Sequence, residues 1–158
     1  MTTNILLRTA VAAAGLTAVA GAAMLTTAGA SSAQTGPDKA KGGTKLNAVL
    51  LGTSEVPAGT GDPDGTGAAR VTVNPGQGTV CWSISVENIA APTRGHIHIG
   101  SAGANGGITV TLFEGASVLE GCTTSTFAKE IAKNPAGYYV NLHNAAFPTG
   151  AVRGQLSR

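Results

Sequence analysis

The stretch Thr93–Phe113 constrains the fold most, because it alternates polar and apolar residues, breaks at a glycine-rich turn and alternates again. It reads T-R-G-H-I-H-I-G-S-A-G-A-N-G-G-I-T-V-T-L-F. A period of two is typical of β-strands, and two such runs around a glycine-rich connection indicate a hairpin. Because residues two apart on a strand point to the same side, His96 and His98 are predicted to share one face.

Five further strand-like runs lie between turn signals such as Asn74–Gly78 (N-P-G-Q-G). One helix is predicted over Thr123–Ala136, where Phe127 and Ile131 are four residues apart and Pro135 stops it. This spacing predicts an all-β, antiparallel sandwich or barrel of about seven strands with one short helix. The predicted strands are Lys45–Leu51, Ala68–Val73, Thr79–Ile89, His96–Ile99, Ile108–Phe113, Tyr138–His143 and Ala151–Ser157.

The amino-terminal segment predicts export. Residues 1–30 contain Arg8, then the apolar run Thr9–Leu25, then small residues that suit signal-peptide cleavage after A-G-A or after the following S-S-A. A membrane anchor is the alternative, but the run is short and is interrupted by Thr and Gly. Residues 31–44 are polar and predict a flexible leader, and residues 45–158 predict one β domain. The mature chain is therefore expected to be secreted and to lack a membrane span.

The charge of the mature chain is close to neutral. Of ten Lys and Arg residues the signal peptide removes Arg8, which leaves nine against eight Asp and Glu. A net charge of +1 gives no basis for a nucleic-acid partner. The chain also lacks the nucleophile-elbow, zinc-protease and phosphate-loop motifs, so we predict no enzymatic activity and no cofactor for the leading function.

The two cysteines, Cys81 and Cys122, predict a disulfide, since an even pair in an exported chain is most simply bridged. The alternative is a pair of buried thiols. Cys81 has the parity opposite to Trp82, so the bond is expected to tie the sheet to the segment before the helix. It is not expected to cross the apolar core.

Five ordered motifs carry a family likeness that covers Leu46–Leu156. They are L-L-G-T-S-E-V-P at Leu50–Pro57, G-H-I-H-I-G at Gly95–Gly100, A-N-G-G-I-T-V-T-L-F at Ala104–Phe113, N-P-A-G-Y-Y-V-N-L-H at Asn134–His143 and F-P-T-G-A-V-R-G-Q-L at Phe147–Leu156. In this combination the chain resembles the CHRD domain, which is named for repeats in chordin and also occurs in secreted bacterial proteins. The resemblance implies an immunoglobulin-like or Greek-key β-sandwich in an extracytoplasmic protein, with no established enzymatic activity.

If the strands that carry them share one sheet, strand parity also predicts a polar face that contains His96, His98, Asn141, His143, Arg153 and Gln155. Three imidazoles on rigid strands suit Zn²⁺ or Cu²⁺ with an open fourth position. The alternative is that the histidines bond loop carbonyls and fix the turn at Ser101–Gly107. The cation of Arg153 close to a metal favours this second interpretation. Glu55 is expected to pair structurally with Arg153 or a histidine, unless it remains a solvated loop acid.

The sequence as a whole predicts a secreted, non-enzymatic β-sandwich with a binding or structural role. Its expected partner is an extracellular or cell-surface component whose identity the sequence does not specify. The polar side chains available for binding are those of Glu55, Asn141, Arg153 and Gln155. The alternative function is a metal-binding or metal-dependent redox domain that uses His96, His98 and His143 with Zn²⁺ or Cu²⁺.

Overall fold

The computed structural model describes residues 40–158, and this part of the chain contains eight strands and one short α-helix. The predicted signal peptide over residues 1–30 and most of the predicted leader lie outside the described residues. Within residues 40–158, the helices are too short and too polar to span a membrane. The strands are β1 Thr44–Leu51, β2 Thr66–Asn74, β3 Thr79–Glu87, β4 Arg94–Ile99, β5 Ile108–Glu114, β6 Glu120–Thr124, β7 Tyr138–His143 and β8 Val152–Gln155, and the helix is α1 Ala128–Lys133.

The eight strands form a single antiparallel sheet in the order β5-β4-β7-β8-β1-β2-β3-β6. Its narrowest ladder joins β1 to β8 through one pair, Leu51 with Arg153. The two edge strands come back into contact, and just beyond β6 the Ser125 hydroxyl donates to the Thr109 carbonyl of β5 at 3.2 Å. The predicted all-β antiparallel fold with one short helix is confirmed. The described sheet has eight strands and curls almost into a barrel.

Strands β2 and β3 form a hairpin around the predicted turn at Asn74–Gly78, and Val71 lies opposite Trp82. The connecting turn is specified by its own residues. The Gln77 amide donates to the side-chain oxygen of Asn74 at 3.1 Å and to its carbonyl at 3.3 Å. Gly78 then takes φ 63°, a left-handed conformation that glycine adopts without steric cost. The N-P-G-Q-G signal therefore corresponds to a real turn.

The core lies inside the curled sheet, where alternate side chains of the strands meet. Trp82 is 3 % exposed, and its indole nitrogen donates to the Val118 carbonyl at 2.9 Å. The helix α1 buries Ile131, whereas Phe127 just before it stays 39 % exposed. Only one of the two predicted apolar helix residues therefore enters the core. The largest fully buried aliphatic side chains are Leu46, Leu50, Ile97, Ile131, Leu142 and Leu156.

The predicted helix over Thr123–Ala136 is shorter than expected, because its first residues belong to β6. This strand reads E-G-C-T-T and lies at the edge of the sheet beside β3. Cys81 of β3 lies directly opposite Cys122 of β6, and the two sulfur atoms are bonded. The predicted disulfide is confirmed. The bond joins two neighbouring strands of the sheet, β3 and β6, so the segment before α1 to which it was expected to tie the sheet is itself a strand of that sheet.

Candidate functional site

Strands β4 and β7 position the three histidines because they pair along their whole length. His96 lies opposite Asn141. His98 lies opposite Tyr139, and His143 ends β7. The intervening side chains are apolar and fully buried, namely Ile97, Val140 and Leu142. The alternation along each strand therefore places the polar side chains together, on the side away from these aliphatic residues.

The imidazoles of His96, His98 and His143, here called the histidine cluster, lie close enough to interact directly. Nδ1 of His96 is 3.2 Å from Nε2 of His143. The ring centroid of His96 lies 5.6 Å from that of His98 and 5.2 Å from that of His143, and 6.4 Å separates the rings of His98 and His143. One nitrogen from each ring can be chosen so that all three lie within 4.8 Å of one another.

Two of these rings are anchored on their outer sides. Nε2 of His96 lies 2.8 Å from Oε1 of Glu114, the last residue of β5. Nδ1 of His98 lies 3.0 Å from the carbonyl oxygen of Gly106 in the loop between β4 and β5. Since a carboxylate and a carbonyl both accept, these contacts assign the hydrogen of each ring to its outer nitrogen. Glu114 is not among the site residues that strand parity predicts.

Two ring nitrogens in the cluster have no partner. Nε2 of His98 and Nδ1 of His143 are buried and make no hydrogen bond with any described residue. Burial lowers the pKa of His98 below its ordinary value. It lowers the pKa of His143 further, to about 4, with the neighbouring His96 and Arg94 adding to the effect. His143 is therefore an uncharged imidazole near neutral pH, and its ring nitrogens offer a lone pair.

The guanidinium of Arg153 is held by the loop between β4 and β5. It donates to the side-chain oxygen of Asn105 at 2.9 Å and to the Ser101 carbonyl at 3.3 Å. Its carbon atom lies 3.4 Å from the ring centroid of Tyr139. The ring of His98 stacks on Tyr139 at 4.9 Å with a 7° angle between the planes. Because β4 and β8 flank β7 on opposite sides, Tyr139 separates the Arg153 cation from His98.

Gln155 holds the other end of the same loop. Its side-chain nitrogen lies 2.7 Å from the carbonyl oxygens of Gly100, Ala136 and Tyr138. Arg153 and Gln155 therefore bond the chain's own carbonyl groups. The outer side of the loop stays open, since Ser101 to Asn105 are all exposed.

Glu55 lies inside the protein, and its partner is Asn141. The residue is 4 % exposed, and the Asn141 amide donates to its Oε2 at 3.2 Å. Burial raises the pKa of the Glu55 carboxyl to about 7, against the opposing effects of Asn141 and the Arg153 charge. The expected pairing with Arg153 or a histidine is replaced by this amide contact. Asn141 and Arg153 are also almost fully buried, at 4 % and 2 % exposure, whereas Gln155 is only partly buried.

A cleft connects this polar interior to solvent beside His98. It has a volume of about 340 Å³. Its walls include His98, Tyr139 and Asn141 from the site, and Val56 and Pro57 from the loop after β1. Of the three rings in the histidine cluster, only that of His98 lines this cleft, whereas His96 and His143 are buried behind it.

The family comparison agrees with the ordered motifs of the chain. A search of curated proteins found no match. The family model of the CHRD domain matches residues 46–156, which run from β1 to the end of β8 and include the disulfide, the histidine cluster and Glu55. Because this match covers most of the sequence, the chain belongs to the CHRD domain family.

Proposed function

We propose that this protein works outside the cytoplasm as a non-enzymatic domain with a binding or structural role. The observation that carries the proposal is the Cys81–Cys122 disulfide, because such bonds persist in oxidising compartments and are rare in the cytosol. The predicted signal peptide over residues 1–30 supports the same location. The CHRD domain family is not known as enzymatic, which supports a binding or structural role.

The binding surface that best fits this role is the exposed loop from Ser101 to Asn105. Arg153 donates hydrogen bonds to the backbone carbonyls of this loop, and Gln155 donates to the carbonyl of the adjoining residue Gly100. Both side chains come from β8, so a strand of the sheet holds the loop in place. Loops held in this way by a scaffold commonly carry recognition. The proposed partner is an extracellular or cell-surface component that binds this loop, while the buried polar residues maintain the conformation of the loop.

Cell fractionation tests the proposed location. We expect the protein in the medium or at the cell surface, with a mass that reflects loss of about 30 residues and one intact disulfide. N-terminal sequencing should begin near Ser31 or Gln34. The proposal is wrong if the protein keeps Met1 and is found in the cytoplasm with two free thiols.

A further inference from the structure

We propose that the histidine cluster is a binding site for one divalent transition-metal ion, Zn²⁺ or Cu²⁺. The proposed ligand atoms are Nδ1 of His96, Nε2 of His98 and Nε2 of His143. This inference goes beyond the proposed function and does not depend on it, because it rests on the geometry around the three rings.

The outer hydrogen bonds prepare two of the rings for a metal. Glu114 accepts from Nε2 of His96, and the Gly106 carbonyl accepts from Nδ1 of His98. With their hydrogens directed outward, Nδ1 of His96 and Nε2 of His98 present lone pairs toward the cluster. Metal-binding histidines in proteins are commonly oriented in this way, by a carboxylate or a carbonyl on the far ring nitrogen.

The third ring supplies its ligand by a change of tautomer. Since Nδ1 of His96 has no hydrogen, the 3.2 Å contact with Nε2 of His143 requires His143 to donate there in the metal-free protein. Nδ1 of His143 has no partner, and the Pro148 carbonyl, which accepts from Arg94 at 2.8 Å, is the acceptor that we assign to its hydrogen in the metal-bound protein. Nε2 of His143 is then free, and the metal replaces the hydrogen between the two rings.

The distances fit a metal with modest adjustment. Bonds of about 2.0–2.1 Å in a tetrahedral arrangement separate ligand nitrogens by about 3.3–3.5 Å. The contact between Nδ1 of His96 and Nε2 of His143 already measures 3.2 Å, and one nitrogen of each of the three rings can be chosen so that all three lie within 4.8 Å of one another. A shift of the rings toward one another by about 1 Å brings the nitrogens to the spacing of a tetrahedral site.

The nature of the donors selects the metal class. The three proposed ligands are all imidazole nitrogens, and both cysteines are consumed by the disulfide. Imidazole donors suit Zn²⁺ and Cu²⁺, and Cu²⁺ binds such sites more tightly. A cation close to the metal would disfavour binding, and Arg153 was the cation that the sequence predicted there. In the structure the Tyr139 ring separates Arg153 from His98, and the guanidinium donates to loop carbonyls.

The test uses the purified protein without an affinity tag, stripped with chelator and titrated at pH 7.5 with ZnCl₂ or CuCl₂ alone. We expect one equivalent of each metal to bind, with Cu²⁺ the tighter, and nitrogen couplings from three imidazoles in the Cu²⁺ electron paramagnetic resonance spectrum. His98→Ala and His143→Ala should each weaken binding more than tenfold.

Glu114→Ala provides a measurement that does not depend on the folding of the histidine variants. Glu114 is a half-exposed positioning residue, so its loss should weaken metal binding about 10- to 100-fold while the metal-free melting temperature stays near that of wild type. Glu87→Ala, an exposed strand-end acid remote from the rings in the sheet order, is the matched control and should bind like wild type. The proposal is overturned if wild type binds neither metal, or if His98→Ala or Glu114→Ala binds both as wild type does.

Discussion

Glu55 is a carboxylic acid whose burial makes its charge costly. Its pKa is raised from 4.5 to about 7 in the folded protein. Between these two pH values the folded chain therefore keeps a proton that the unfolded chain has released. Its contribution to stability is therefore complete below about pH 4.5 and is lost as the pH rises through about 7. His143 acts in the opposite direction, because its pKa is lowered to about 4 and acid favours the unfolded chain. The two effects partly cancel in the wild-type protein.

The variant Glu55→Gln should separate the effect of Glu55 on pH-dependent stability from that of His143. The glutamine oxygen can still accept from Asn141, but the side chain no longer titrates. We expect the variant to be more stable than wild type by about 1–2 kcal/mol at pH 8, and this advantage to disappear by pH 4.5. Thermal melts of both proteins in chelator across this pH range measure the difference. A difference that stays constant with pH would contradict the proposed titration.

Single residues show where strand parity succeeds and where it does not. A period of two predicts which side of its strand each of His96, His98 and His143 takes, and the unshifted pairing of β4 with β7 in the folded protein brings the three rings together. Glu114 could not be predicted in the same way. The pairing of β4 with β5 contains two irregularities, and these bring Glu114 level with Arg94. If the register next to the turn continued without these irregularities, Glu114 would lie two residues beyond Arg94 along β4.

In the loop between β4 and β5, the backbone at Gly106 packs closely against the backbone at Ile99. A Cβ atom on Gly106 would lie 1.7 Å from the Ile99 carbonyl oxygen, whereas one on the adjacent Gly107 would meet nothing within 4 Å. The Gly106 carbonyl also anchors His98. The shape of the loop and the orientation of that ring therefore depend on the same glycine.

The two glycines provide a matched pair of variants. Gly106→Ala should destabilise the protein by about 2 kcal/mol or more, since the backbone on both sides of the contact must shift. Gly107→Ala should change the stability by less than about 0.5 kcal/mol. Chemical denaturation of both variants is the measurement. Equal stability of the two would show that the loop tolerates a side chain at either position.

Strand β6 marks the limit of pattern reasoning for an element. Its residues, E-G-C-T-T, neither alternate nor contain a large apolar side chain. The strand forms because β3 supplies a ladder on one side and the disulfide fixes the register at Cys81 and Cys122. Edge strands bury little surface of their own. Their existence is therefore decided by long-range pairing, and local sequence patterns give little indication of it.

For the whole molecule, the disulfide closes a long loop between residues that are 41 positions apart. Replacing both Cys81 and Cys122 with serine should lower the free energy of unfolding by about 4 kcal/mol in the chain-entropy description. Denaturant titration measures this loss, with Ser85→Ala on the exposed side of β3 as a control that should behave like wild type. An unchanged unfolding midpoint for the double variant would show that the bond does not contribute to stability.

The approach of β5 to β6 has a consequence for colloidal behaviour. An open sheet has two edges whose unpaired amide and carbonyl groups can recruit strands from other molecules and seed fibrils. Here the two edge strands turn toward each other, and the Ser125 hydroxyl donates a hydrogen bond to the Thr109 carbonyl of β5. Only 11 % of the residues are charged, so mutual repulsion between molecules is weak. Resistance to intermolecular strand addition must therefore come from the curvature of the sheet.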